Sequence, residues 1–306
     1  MTPHLEQGPP AALEQPTGVE IATAAASSDG FGRRLLKDRR VQLGTVCAVP
    51  VVLIALLGPA LAPLSPTEFV GPPFSLGIPD ALFGTDDLGR DVLSRSLSGG
   101  QQLVMLSILG TLLGVLPGAL IGVGAAFVGG RLDELISRGA DVALAFPPIV
   151  LALLFLSLLG ANPWLLMVVV ALGHVPRSLR VMRGAAMGLI GRDFIQYSVA
   201  IGSRWRHIVF RELLPNVTGP LMVELGVRFT FSVGLIASLS FLGVGSQPPA
   251  PDWGMMINEN RVGMTVQPWG VILPLIALAI LVVGCNLLTD GYARVAGIIK
   301  AKGVSS

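Results

Sequence analysis

Charge is scarce in this sequence. Only 13% of its 306 residues are Asp, Glu, Lys or Arg, against about a quarter in soluble globular domains, so an ordinary solvated exterior is excluded. Cysteine is nearly absent. Cys47 and Cys285 fall inside apolar runs far apart in the chain and read as small apolar side chains, not as a disulfide or metal pair. The three histidines, His4, His174 and His207, are not neighbours, and no CxxC or HExxH occurs, so a metal site has no ligand set to draw on. There is no GxxxxGK[ST] phosphate cradle, which excludes nucleotide binding by that route. No Ser/Lys, His/Asp or metal constellation sits in the apolar runs, which argues against an intramembrane enzyme.

What is abundant is hydrocarbon. Hydrophobic residues make up 52% of the chain, gathered in six runs at roughly 41–63, 101–128, 143–161, 163–182, 218–245 and 268–289, each near the ~20 residues that cross ~30 Å of lipid. The expected fold is an all-α polytopic membrane protein with six transmembrane helices. Residues 1–30, rich in Pro, Ala, Ser and Glu, lack helical periodicity and read as disordered. With the basic anchor of Arg33, Arg34, Lys37, Arg39 and Arg40 they form an N-terminal tail over 1–40. The first run is longer than a secretory core of ~7–15 residues, so it reads as an uncleaved anchor. The remainder divides into 41–100 (first span and outer loop), 101–292 (the core, including a cytoplasmic loop at 190–216) and a C-terminal tail at 293–306.

Lys and Arg fix the expected orientation. With the N-terminus inside, the inner segments hold seventeen of them and the outer loops only Arg90, Arg95 and Arg261. Both termini are therefore expected in the cytoplasm. Midplane acids, the usual machinery of ion-coupled transport, are missing. Asp141 lies near the start of the third run, three residues after Arg138 and read as its partner. Glu224 and Arg228, one turn apart in the inner third of the fifth run, read either as lining a path near an inner gate or as a neutralised pair. His174 reads as hydrogen-bonded packing and not as a proton relay.

GSRWRHIVFRELLPN, Gly202–Asn216, falls on the inner side between the fourth and fifth runs. Gly202 supplies a turn, Ser203 an N-cap and Pro215 a stop, which predicts a short helix from Arg204. Trp205, Ile208, Val209 and Glu212 recur at i, i+3, i+4 and i+7. That mostly apolar face seeks a groove, either in the lipid headgroup layer or in a partner protein.

The spacing from Gly202 to Leu214-Pro215-Asn216 resembles the coupling loop of bacterial ABC importer permeases, in which Glu-Ala-Ala, three residues and Gly precede an amphipathic helix and Leu-Pro. Here Ala200 and Gly202 fit, while Gln196-Tyr197-Ser198 stand at the Glu-Ala-Ala positions. FGTDDLGRDVLSRSLSG (Phe83–Gly99) is similar to a signature of one permease subunit of dipeptide and oligopeptide importers. LGVGSQPPAPDWGMMI (Leu242–Ile257), GGRLDELISRGADVALAFPPIVLALL (Gly129–Leu154) and CNLLTDGYAR (Cys285–Arg294) resemble further segments of that subunit in the same order.

The resemblance implies the type I ABC importer permease fold and a non-catalytic subunit forming half of a translocation path for di- and oligopeptides. Similar permeases carry nickel, heme or other small solutes. It also implies a second, homologous permease, two cytoplasmic ATPase subunits that bind ATP and Mg, and an extracytoplasmic substrate-binding protein. No cofactor is expected in this chain, and no nucleic-acid partner. The coupling residues would be Gln196, Ala200, Gly202, Ser203, Trp205, Ile208, Val209, Glu212, Leu214, Pro215 and Asn216. In the outer signature, Gly84, Thr85, Asp86, Gly89, Arg90, Asp91, Ser94 and Arg95 read either as an exposed capping and salt-bridge segment, with Asp86 and Arg90 paired at i, i+4, or as a docking point for the binding protein. The Pro-rich loop at 246–268, with Trp253, reads as a lid beneath that protein.

Overall fold

The computed structural model describes residues 28–245 and 247–303. In chain order, α1 (Ser28–Lys37) leads to α2 (Arg39–Leu61). A long loop precedes α3 (Val92–Ser98), α4 (Gly100–Val128), α5 (Gly130–Leu144), α6 (Pro148–Leu159) and α7 (Pro163–Ile190). Then α8 (Asp193–Ala200), α9 (Trp205–His207), a π-turn over Ile208–Leu213 and α10 (Leu214–Asn216) connect to α11 (Thr218–Phe241), followed by α12 (Trp253–Asn260) and α13 (Trp269–Gly303). Among the described residues there is no strand, only two isolated bridges, Phe69 with Arg90 and Thr85 with Asp91.

Five helices, α2, α4, α7, α11 and α13, are long and apolar enough to cross a membrane, and they coincide with five of the six runs. The third run departs from expectation. The continuous span expected over 143–161 is a twelve-residue α6, about 18 Å long at 1.5 Å per residue. It meets α5 at 77°. The cause is Pro147-Pro148: each proline pushes the residue before it out of helical geometry, and Pro147 is extended, at φ −62 and ψ 126.

The arm α5 is tied to α7 by two ion pairs. Asp133 takes both Nε and Nη2 of Arg183 at 2.6 Å, and Asp141 meets Arg180 at 3.3 Å. The expected pairing of Asp141 with Arg138 is therefore corrected. Arg138 turns to Glu134, one helical turn earlier, at 2.6 Å, the better-placed i, i+4 partner.

The tails also differ from expectation. Ser28–Lys37 is helical, its Phe31 ring edge-on to Tyr292 at 5.8 Å, so an apolar contact orders what composition alone read as tail. The disorder expected over residues 1–27 lies outside the described residues. At the other end α13 runs through the expected tail to Gly303.

Small residues decide how closely the spans approach. Gly110, Gly114, Gly118 and Gly122 form a stripe at every fourth position of α4, facing α7. A Cβ on Gly114 would lie 2.5 Å from the Ala171 carbonyl oxygen, and one on Gly122 would lie 2.3 Å from that of Leu179. Lipid is as apolar as leucine, so spans gain little from burying leucine against each other; close backbone contact through small residues substitutes. Gly114→Val is expected to force α4 from α7 at a cost of about 1–3 kcal/mol, the usual range for overpacking, read as a lower unfolding temperature in detergent.

Candidate functional site

Three places concentrate polar chemistry: the connection from α8 to α11, the loop before α3, and the polar contacts among α4, α7 and α11.

In the first, α8 ends in a Schellman turn. Gly202 N–H donates to Val199 O and Ser203 N–H to Ser198 O, both at 3.0 Å, with Gly202 at φ +76. The left-handed residue at C′ satisfies carbonyls the helix leaves open. No atom lies within 4 Å of a Cβ built there, so the need for glycine is purely conformational. Gly202→Val is expected to cost about 1–2 kcal/mol, and Gly202→Asn markedly less, because Asn tolerates that region. Paired thermal melts of the two variants check the ranking.

The helix beyond the turn differs from the expected one. Arg204, not Ser203, is the residue before α9, and it makes no side-chain cap. Pro215 does not stop the chain's helical course. Leu214 is helical at φ −57 and ψ −45, and its N–H reaches back five residues to Val209 O. This wider turn accommodates a proline that has no N–H to donate. Asn216 Nδ2 closes on Glu212 O at 2.6 Å.

The face also turns the other way. Ile208, Val209 and Leu213 are buried, packed with Val123, Met182, Ala186 and Ile195 in one cluster. The apolar stripe read as a docking face thus serves the chain's own bundle. Trp205 alone of its three apolar members stays outside, 53% exposed, together with Phe194, Tyr197, Ile201 and Phe210. Arg192, Arg204, Arg206 and Arg211 are exposed among them, and Arg206 lies over the Trp205 ring at 5.4 Å. Gln196 is exposed and donates to Ile190 O at 2.9 Å. Glu212 is half-buried, 3.8 Å from His207 Nε2. The sequence signal for the outward aromatics was Phe194 and Tyr197 at i, i+3 on the helix just before the turn.

In the second place the signature is a buried clamp, not an exposed segment. Asp86 Oδ1 accepts the Arg90 and Leu88 N–H groups at 2.8 and 3.0 Å, closing a tight turn through Gly89 at φ +78. Asp86 Oδ2 meets Arg90 Nε at 2.7 Å and Arg95 Nε at 3.1 Å. The i, i+4 pairing of Asp86 with Arg90 holds, but within a turn and not a helix. Asp91 caps α3, accepting Ser94 N–H at 2.8 Å and Ser94 Oγ–H at 2.6 Å. Thr85 is fully buried and accepts from Ser75 N–H at 2.9 Å, while Gln267 reaches the Phe83 and Thr85 carbonyls.

Sequence reading missed the clamp's other jaw, Glu259 of α12. It sits 2.7 Å from Arg95 Nη2 and 3.5 Å from Arg90 Nη2, 164 residues from Arg95 and without a local pattern to announce it. Burial pushes the Glu259 carboxyl above its ordinary value, against the pull of Arg95, as expected where desolvation rivals Coulomb attraction. Asp86, Asp87 and Glu259 lie close enough together to suggest a cation site, yet Arg90 and Arg95 already occupy the space between them. Trp253 of the Pro-rich loop is buried, its Nε1 donating to Ser96 O at 2.7 Å. The loop read as a lid is therefore keyed into the bundle through α12.

In the third place, Glu224 is buried, and its Oε1 accepts both Arg228 Nε at 2.7 Å and Ser178 Oγ at 2.9 Å. The pair is neutralised and pins α11 to α7. One turn further along, His174 Nε2 meets Ser232 Oγ at 2.7 Å, and Ser232 meets Thr111 Oγ1 at 2.9 Å.

Residues 118–296 match the family described as the binding-protein-dependent transport system inner membrane component. The chain is 32% identical to the dipeptide transport system permease protein DppC of Alkalihalophilus pseudofirmus, over 85% of this chain and 86% of that one. It is 33% identical to DppC of Haemophilus influenzae over 83% and 89%, and 36% identical to the glutathione transport system permease protein GsiD of Pectobacterium atrosepticum over 68% and 69%. With its apolar helices, that agreement along most of both chains makes it a multi-pass membrane protein, and the chain belongs to the family of binding-protein-dependent transport system inner membrane components.

Proposed function

We propose that this chain is one of two homologous membrane-spanning subunits of an ATP-driven ABC importer of di- and oligopeptides. In this reading both ends of the chain lie in the cytoplasm, as the Lys and Arg distribution favours. ATPase subunits that bind ATP and Mg dock on the α8–α10 connection, and a binding protein delivers substrate at the opposite end. The names of the relatives, dipeptide and glutathione permeases, support peptides as the cargo class over nickel or heme.

The observation that carries the reading is the run of exposed large apolar side chains Phe194, Tyr197, Ile201, Trp205 and Phe210, interspersed along the α8–α10 connection with four exposed arginines. Large exposed aromatics beside cations mark an interaction site, and the chain has no nucleotide cradle of its own. The π-turn, anchored through Ile208 and Leu213 against α4, α7 and α8, gives a push on that surface a rigid route into the spans. Glu224, held to α7 by Ser178, would carry the motion between spans four and five near the inner end of the path. The test is peptide uptake by the purified complex in proteoliposomes. Uptake is expected with internal or external ATP at the ATPase face and none with an ion gradient alone; gradient-driven uptake without ATP contradicts the reading.

A further inference from the structure

A cavity of about 300 Å³ lies between α6, α7 and α11, walled by Phe146, Leu151, Phe155 and Leu235 with Phe231, His174 and Arg177. Its size falls at the lower end of the ~300–1,000 Å³ typical of small-molecule sites. Three observations set it apart from ordinary packing. Arg177 has no carboxylate partner among the described residues. Its Nη1 donates to Gly173 O at 2.8 Å and its guanidinium lies 5.6 Å from the Phe231 ring centre. The other cations near it are spoken for: Arg228 by Glu224, Arg180 by Asp141 and Arg183 by Asp133.

Arg177 is also half-buried within the fourth apolar run, one turn before the ion-paired Arg180, and an ionisable residue in a membrane span without a carboxylate partner points to function. Finally, His174 on the same wall is 1% exposed, and its Nδ1 is buried with no hydrogen-bond partner. A buried polar atom left open calls for a ligand or water.

We propose that this cavity is a substrate station on the translocation path, in which Arg177 receives the C-terminal carboxylate of the passing peptide and His174 a second polar group of it. The inference rests on the peptide-import reading and specifies how the path recognises that cargo. A guanidinium offers a planar fork that fits a carboxylate through two parallel N–H bonds. Phe231 and the surrounding apolar wall supply a sequence-tolerant lining for side chains, so one fixed end and a loose remainder would admit many peptides.

The experiment uses the complete native complex in proteoliposomes, with a dialanine and its C-terminal amide, each at a concentration that saturates the binding protein. Arg177→Gln is expected to lower dialanine uptake about tenfold or more, the effect of losing one charge-assisted pair. Uptake of the amide and basal ATP hydrolysis should stay near wild type, and Arg177→Lys, which keeps the charge but loses the planar fork, should recover only part of the dialanine rate. Unchanged dialanine uptake in Arg177→Gln overturns the proposal. So does an equal fall for both compounds, or a fall in basal hydrolysis, which would place Arg177 against an acid of the sister permease as a structural pair. Wild-type uptake of neither compound refutes the peptide reading itself, and this station with it.

Discussion

Trp205→Asp combined with Tyr197→Asp is expected to leave the permease folded in the membrane but to strip it of ATPase subunits and abolish peptide-stimulated ATP hydrolysis. Both side chains are more than half exposed, so their loss removes little internal packing. If they enter a cleft on an ATPase, each aromatic acts as an interface anchor worth about 2 kcal/mol or more, roughly thirtyfold in affinity. Ile208→Asp is expected to behave in the opposite way. Ile208 is 1% exposed among Val123, Met182 and Ile195, and an unpaired carboxylate there costs several kcal/mol. The variant should melt early or fail to accumulate. Co-purification of ATPase subunits together with melting temperatures separates the two outcomes. A stable Ile208→Asp protein that no longer binds ATPase, beside a Trp205→Asp, Tyr197→Asp protein that still does, would reverse the assignment of faces.

The second large effect concerns the clamp that joins the loop before α3 to α12. Asp86, Asp87 and Glu259 surround only two arginines, Arg90 and Arg95. Arg95→Met leaves three acids around one cation in a buried site, and removing one partner of a buried ion pair typically costs about 3–5 kcal/mol. Glu259→Gln leaves two acids and two arginines, keeps an acceptor oxygen, and relieves a carboxylate that burial already disfavours. It is therefore expected to cost much less, on the order of 1 kcal/mol, the scale of one ordinary hydrogen bond. Thermal unfolding of the two variants in the same detergent gives the ranking directly. A larger loss for Glu259→Gln than for Arg95→Met would mean that Glu259, not the arginines, holds the clamp together.

How much of this was legible in the sequence follows from the range of each interaction. The spans were legible because a run of about twenty apolar residues has one stable arrangement in lipid. The exception was decided locally by Pro147 and Pro148, which break the third run where a window average sees continuous hydrophobicity. The turn at Gly202 was legible, since the left-handed position after a helix favours glycine on its own. The pairing of Asp86 with Arg90 was legible from four-residue spacing, whereas Glu259 lies 164 residues from Arg95 and no local pattern connects them. The segment from Trp205 to Leu213 shows a different limit. Periodicity groups Ile208 and Val209 on one face, but it does not say whether that face meets a partner or the chain's own bundle. Packing against Val123 and Met182 decided it, and the π-turn that rotates the segment was not visible in any spacing.

Under the proposed function, the outward aromatics of the α8–α10 connection are where the chain receives mechanical work. Hydroxyl-radical footprinting of Tyr197, Trp205 and Phe210, in the complete complex and in the permease pair stripped of ATPase subunits, addresses it most directly. The account predicts strong labelling of all three side chains in the stripped pair and its loss in the complete complex. Equal labelling in both states would contradict it.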